Sequence, residues 1–293
     1  MRPLVFAMPG NEALGASLAA AIPADLGSLE HRRFPDGESY LRFLETVKDR
    51  DVVLACTLNN PDGKALSLFL AARALRDLGA ASIGLVAPYL AYMRQDRRFK
   101  DGEAVTSTAF AQLLSIAFDW LVTIDPHLHR YHSMSEIYTA PVAVGHAASM
   151  LADYLRPKRG SVFLVGPDEE SEQWVAAVGA TAGVPHVTMR KTRTGDREVS
   201  IAFSGIESFR SLVPVLVDDM ISSGFTMEVA VRQLRNLGFP PPVCLAVHGI
   251  LAENAKSRLE AAGAEVVTTN TIPGPSAVLD VGPLLAELVR SRI

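Results

Sequence analysis

Between Val215 and Met227 the chain reads Val-Leu-Val-Asp-Asp-Met-Ile-Ser-Ser-Gly-Phe-Thr-Met. Branched aliphatic residues run into two adjacent carboxylates, a hydroxyl-rich turn follows, and an amphipathic pattern then begins. Binding a phosphate takes several donors converging on it. Backbone amides at a helix N-terminus, with hydroxyls beside them, supply these without a permanent charge. Ser222, Ser223, Gly224 and Thr226 are in place for that. Asp218 and Asp219 cannot favour an anion, but they can accept hydrogen bonds from the vicinal hydroxyls of a ribose. The stretch therefore reads as a sugar-phosphate cradle, with the acids on the sugar and the turn on its phosphate. The simpler alternative is that Asp218 caps the following helix. Met227, Ala230, Val231, Leu234 and Leu237, with Gly238 as a stop, predict that helix and its end.

Four other groups of residues could do chemistry. Asp125-Pro-His127-Leu-His129-Arg-Tyr-His132 sets His127 and His129 on one side of an extended segment. The remaining histidines, His31, His146, His186 and His248, are scattered without ligand spacing. That pattern favours an Mg²⁺ held by one His or Asp and mainly by substrate phosphates and water over a zinc held by protein alone. Arg94-Gln95-Asp96-Arg97-Arg98 offers planar forks suited to a polyphosphate, or else a solvated charged surface. Arg33-Phe34-Pro35-Asp36-Gly37-Glu38 is a turn in which Phe34 offers a face to a flat base and Asp36 and Glu38 offer acceptors to an exocyclic amine. Lys191 and Arg193, in a loop after a strand-like run, could neutralise charge that develops during phosphoryl transfer.

These groups need elements to position them. Short apolar runs, beginning at Leu4, Val52, Ile83, Leu121, Val162, Val215, Val243 and Val266, alternate with helical patterns such as 63–78, 106–117, 170–182 and 224–237. That rhythm predicts parallel sheets covered by helices. Three of the runs end in Asp125-Pro-His127, Gly166-Pro-Asp168 and Asp218-Asp219, and in open parallel sheets ligands bind outside the carboxyl ends of the strands. A break around Tyr154 to Gly160 divides the series, giving expected domains at 1–148 and 149–293.

With 293 residues, 48% of them apolar and 20% charged, the chain can bury two cores and is not disordered by composition. A net charge of −4 gives no general attraction for nucleic acid or an anionic membrane, so an anionic ligand must be held locally. Cys56 and Cys244 lie in apolar runs without metal or redox spacing and read as reduced core residues. Pro9, Gly10, Asn11 and Glu12 interrupt the N-terminal apolar run, which argues against a signal peptide. No run reaches the roughly 18 apolar residues of a spanning helix, and a cytoplasmic protein is expected.

In combination the motifs resemble those of the ribose-phosphate diphosphokinase family, over nearly the whole chain. The resemblance rests on Arg33-Phe-Pro-Asp-Gly-Glu38, Pro88-Tyr-Leu-Ala-Tyr-Met-Arg-Gln-Asp-Arg97, Asp125-Pro-His127, Gly166-Pro-Asp168, Lys191-Thr-Arg193, Val217 to Thr226 and Thr269-Asn-Thr-Ile-Pro273. The Lys-Thr-Arg and Asn-Thr-Ile-Pro forms look most like the short, archaeal-type branch. The resemblance implies two tandem phosphoribosyltransferase-like, Rossmann-like α/β domains, with the last helix returning to the first. It implies transfer of the β,γ-diphosphoryl group of ATP to the 1-hydroxyl of ribose 5-phosphate, with Mg²⁺, in a homodimer or larger homo-oligomer. It places Phe34, Asp36 and Glu38 on adenine, across a subunit interface, and Arg94, Gln95, Asp96 and Arg97 on ATP. His127 and Asp168 would engage the metal and substrates, Lys191 and Arg193 the transferring group, and Asp218, Asp219, Ser222, Ser223, Gly224 and Thr226 ribose 5-phosphate.

The chain also departs from the family pattern. Glu169-Glu170-Ser171 replaces the usual glycines after Asp168, the segment from Arg98 to Glu103 is short, Ser223 stands for threonine and Phe225 for the second glycine of the phosphate turn. Phenylalanine is strained at positive φ, so the turn is expected to adopt another conformation or to hold phosphate less closely. Glu169, Glu170 and Phe225 favour a non-catalytic, ligand-binding relative. Retention of Lys191, Arg193 and His127 favours an active enzyme, and the Phe34 and Arg94 motifs argue against a phosphoribosyltransferase that shares only the cradle.

Overall fold

A computed structural model describes residues 1–167, 171–188, 190–193, 199–202 and 206–293. They form two compact units, 1–145 with 281–293, and 146–280. In chain order the first contains β1 (Leu4–Ala7), α1 (Glu12–Ala21), β2 (Asp25–Gly27), β3 (Leu29–Arg33), β4 (Ser39–Phe43), β5 (Asp51–Ala55), α2 (Asp62–Asp77), β6 (Ser82–Val86), α3 (Thr106–Ala117), β7 (Trp120–Ile124) and β8 (Val142–Gly145). The second contains α4 (Ala148–Leu155), β9 (Val162–Gly166), α5 (Glu172–Ala182), β10 (His186–Thr188), β11 (Arg190–Arg193), β12 (Val199–Ala202), β13 (Val213–Ile221), α6 (Phe225–Asn236), β14 (Val243–Gly249), α7 (Ala255–Ala261), β15 (Glu265–Thr269) and β16 (Ala277–Leu279). A final helix, α8 (Gly282–Arg290), packs in the first unit.

The two units repeat one plan. Each has a parallel six-stranded sheet, in the order β2-β1-β5-β6-β7-β8 or β10-β9-β13-β14-β15-β16, and a separate antiparallel hairpin, β3-β4 or β11-β12. The expected tandem α/β architecture is thus borne out. Helices on both faces of a parallel sheet bury its strands twice over, so those strands are apolar continuously and not alternately. Every residue of β7, β9 and β14 is buried accordingly. Cys56 and Cys244 lie in these cores, where burial pushes each thiol up to about 12 and leaves it protonated. Among the described residues no helix is long and apolar enough to cross a membrane.

Chain order alone would put residues 281–293 with the second unit, but packing decides otherwise. Leu285, Ala286 and Val289 of α8 are buried, and the helix lies on α1, β7 and β8. Gly145 makes the approach possible, because a Cβ there would come within 2.9 Å of Leu288. Arg290 also donates to the Ala21 carbonyl at 2.6 Å. Leu285→Ala should therefore cost about 2–5 kcal/mol. The loss should appear as faster amide hydrogen exchange in α1, β7 and β8.

Candidate active site

In both units the topology switches direction beside the first strand, between β1 and β5 and between β9 and β13. A crevice opens outside the carboxyl ends of the strands at such a point. In the second unit the stretch from Val215 to Met227 occupies it. β13 continues through Asp218 and Asp219 to Ile221, so the acids belong to the strand and not to the turn. Both are half-buried, and the Asp218 carboxylate accepts from the Asp219 amide at 2.9 Å. Asp218 does not cap α6: the N-cap is Gly224, and no side chain caps the helix. The first-turn amides of α6 therefore have no capping side chain, and amides in that state are available to an anion.

The strain expected of Phe225 is absent. The positive φ of the turn, 72°, falls on Gly224, where it costs little. Phe225 is the first helical residue, 55% exposed, and the Arg258 guanidinium lies 4.4 Å from its ring centroid. Glu228, in the same helical turn, accepts from Arg232 at 2.9 Å and from Arg258 at 3.0 Å. These bonds hold its carboxyl below the ordinary range. The Asn270-Thr-Ile-Pro273 motif locks the next loop. Thr269 and Thr271 donate to the Val247 carbonyl at 2.7 and 3.0 Å, and Thr271 lies 2.9 Å from the ring of buried His248.

The matching edge of the first unit is filled by its own polar groups. Asn11 accepts from the Thr57 amide at 2.8 Å, and the Lys64 ammonium donates to the Thr57 carbonyl at 2.9 Å and to Asn59 at 2.5 Å. Burial lowers the Lys64 pKa. The residues singled out in the sequence gather instead after β6 and β7. Arg94 and Arg97 are exposed, whereas Asp96 is 7% exposed with both carboxylate oxygens on Arg130, at 2.8 and 3.0 Å. The Tyr131 hydroxyl donates to the Asp96 carbonyl at 3.2 Å, and Thr106 donates to the Gln95 side chain at 3.3 Å. The arginine loop and the histidine loop are thereby joined. Half-buried His127 lies beside His129, with ring centroids 6.3 Å apart.

Phe34, Asp36 and Glu38 form the exposed tip of the β3-β4 hairpin. The turn closes through Phe34 N–H to the Glu38 carbonyl at 2.8 Å and through Glu38 N–H to Asp36 at 3.1 Å. Arg32 packs 4.6 Å from the Phe34 ring centroid and 4.3 Å from that of Tyr40. Lys191 and Arg193, read in the sequence as loop residues, belong to β11 of the other hairpin. Asp168, Glu169 and Glu170 lie outside the described residues. Sequence reasoning missed Arg130, Glu228 and Arg258. Each acts through the backbone or another side chain, and no local spacing marks such a residue.

Two parallel α/β units, with an acid pair, a hydroxyl-rich turn and a helix N-terminus at the switch point of the second, define a protein built of phosphoribosyltransferase-type domains. Residues 133–281 match the phosphoribosyl transferase domain, and residues 4–117 match the N-terminal domain of ribose phosphate pyrophosphokinase. Ribose-phosphate pyrophosphokinase of Methanopyrus kandleri is 34% identical over 292 residues, which is 98% of this chain and 99% of that protein. The Thermococcus kodakarensis protein of the same name is 33% identical over 90% of this chain and 93% of its own length. The crystal structure of phosphoribosylpyrophosphate synthetase from Mycobacterium smegmatis superposes with a TM-score of 0.85 at 27% identity, covering 100% of this chain and 99% of that one. The chain belongs to the ribose-phosphate pyrophosphokinase family.

Two outcomes test this geometry. Gly224→Ala puts a Cβ 3.1 Å from that of Ala255 and forces a left-handed conformation, so it should lower unfolding free energy by about 1–2 kcal/mol in a urea titration. Glu228 has a lowered folded pKa, so its contribution is present above the ordinary glutamate value of about 4.3 and is lost as pH falls through the lowered one. Glu228→Gln should flatten that part of the acid limb when urea midpoints are compared from neutral to acid pH.

Proposed function

We propose that this protein transfers the β,γ-diphosphoryl group of ATP to the 1-hydroxyl of ribose 5-phosphate, giving phosphoribosyl diphosphate and AMP for nucleotide biosynthesis. The observation that carries this reading is the acid pair at the end of β13, leading directly through Ser222, Ser223 and Gly224 into the first turn of α6 at the switch point, in a chain of this family. The 5-phosphate rests on Ser222, Ser223, Gly224 and Thr226. The ribose hydroxyls donate to Asp218 and Asp219, which leaves the 1-hydroxyl free to react.

On the nucleotide side, Phe34 gives one ring face to Arg32 and keeps the other for adenine, with Asp36 and Glu38 as acceptors for the exocyclic amine. The exposed hairpin suits contact from a second copy, and a homodimer or larger homo-oligomer follows from the resemblance. Arg94, Gln95 and Arg97 hold the polyphosphate. Asp96 belongs with them as a positioning residue, because Arg130 engages both of its oxygens.

The 1-hydroxyl oxygen attacks the β-phosphorus of ATP. The bond from that phosphorus to the oxygen bridging the α-phosphate breaks, AMP leaves with the bonding electrons, and the hydroxyl proton passes to solvent. Lys191 and Arg193 stabilise the charge that spreads over the oxygens of the moving group, where most of the catalysis of such transfers lies. His127 orients the reacting groups. Among the described residues no group of three His, Cys, Asp or Glu side chains could hold a metal by itself, which suits a hard cation that takes most of its ligands from phosphate and water. Mg²⁺, held by His127 and Asp168, would neutralise the charge of the polyphosphate. A cytoplasmic setting matches this chemistry.

With Mg²⁺, ATP and ribose 5-phosphate, the purified protein should release AMP in step with phosphoribosyl diphosphate. No AMP above the enzyme-free background, with an active relative as control, would sink the reading. Lys191→Ala should lower kcat by about 10²–10³ with little change in ribose 5-phosphate affinity, as removal of a transition-state donor does.

A further inference from the structure

A chain that wraps an anion must turn its amides inward and its carbonyls outward. In a trans peptide unit the carbonyl and the following N–H point in opposite directions, so anchoring a carbonyl on one side aims the next amide to the other. Three successive carbonyls of the cradle, those of Ile221, Ser222 and Ser223, are anchored on the segment between β14 and α7 and on α7 itself. The first two accept backbone amides, from Leu251 at 2.9 Å and Ala252 at 3.0 Å. The third has no backbone partner there, and its donor is Nη2 of Arg258.

Arg258 does more than close that series. Its Nη1 donates to the Glu253 carbonyl, its Nε donates to Glu228 at 3.0 Å, and its plane covers the Phe225 ring. Leu251, Glu253 and Asn254 have φ of 49°, 53° and 58°, conformations that persist in non-glycine residues only where surrounding contacts over-determine them. A planar guanidinium with donors along three edges can bridge two carbonyls and a carboxylate at once, which a lysine ammonium on a flexible stem cannot do in a fixed geometry. Glu228 balances its charge, so the group holds the turn and is not itself the phosphate ligand.

We propose that Arg258 is a positioning residue for the 5-phosphate: by holding the Ser223 carbonyl outward against the 251–254 loop, with Phe225 as its platform, it aims the Gly224 amide and its neighbours at the ligand. On this account Phe225 is not a damaged glycine position but the floor of the clamp. The inference rests on the reading of the turn as the ribose 5-phosphate site.

The test compares wild type, Arg258→Ala, Arg258→Lys and Phe225→Ala by calorimetric titration with ribose 5-phosphate and by steady-state kinetics. Arg258→Ala should raise the Kd and KM for ribose 5-phosphate by at least about tenfold, as expected for loss of a charge-assisted hydrogen bond, with KM for ATP within about twofold. Arg258→Lys should rescue little of the loss. Phe225→Ala, a change at an exposed ring, should weaken ribose 5-phosphate binding by a smaller factor in the same direction. The proposal is overturned if Arg258→Ala binds ribose 5-phosphate as wild type does, or if the affinities for both substrates fall equally. Should Arg258→Ala fail to fold, Phe225→Ala decides, and unchanged ribose 5-phosphate affinity in that variant overturns the proposal. Failure of wild type itself to bind ribose 5-phosphate would defeat the reading of the site instead, so the two failures are distinguishable.

Discussion

A strand covered by helices on both faces has no place along its length for a polar group that lacks a partner. The strands of both sheets follow this constraint except at Thr123 of β7, whose buried hydroxyl has no hydrogen-bond partner among the described residues, and polar chemistry is otherwise displaced to the segments that follow their carboxyl ends. β13 shows the transition within one strand, passing from Pro214 to Val217, all buried, to half-buried Asp218 and Asp219. Because all connections in the sheets are parallel, those ends lie along one edge of each sheet, and residues far apart in sequence meet there. Asp96 and Arg130 illustrate this, 34 positions apart and bonded at 2.8 Å.

The repeated plan gives the same edge twice, and the two copies are used differently. In the second unit the switch point carries the open N-terminus of α6. In the first, α2 likewise has no side-chain cap, but Asn11 and Lys64 bond to the Thr57 backbone in the loop before it. The first unit presents its exposed arginines after β6 and its aromatic and acidic groups on a hairpin tip. The second unit has a hairpin of its own, which bears Lys191 and Arg193. A duplicated fold thus presents two differently furnished edges by changing which loops are filled with side-chain hydrogen bonds. Tyr92, Asp125, Leu251, Glu253 and Asn254 all have positive φ in segments that follow β6, β7 or β14, so backbone strain too gathers on these edges.

Much of the fold is legible in the sequence because its signals are local. Residues 106–117 are helical as their apolar period indicates, and Gly238, at φ 85°, follows the end of α6 as a stop should. The eight apolar runs all became strands of the two sheets. Lys191 and Arg193 were less legible, since charged residues of high polarity read as loop while hairpin pairing with β12 depends on partners six to twelve positions away.

The types and order of the chemically able residues are determined by the sequence: acids before hydroxyls at 218–226, histidines at 127 and 129, arginines at 94 and 97. These choices are written residue by residue, and so was the alarm raised by Phe225. Only the tertiary structure decided how that residue is used. A φ value is set by the whole turn and not by one side chain, and here the left-handed position falls on Gly224. The partner that makes Phe225 intelligible, Arg258, is 33 positions further on in another helix, and it was brought there by sheet topology and not by spacing along the chain.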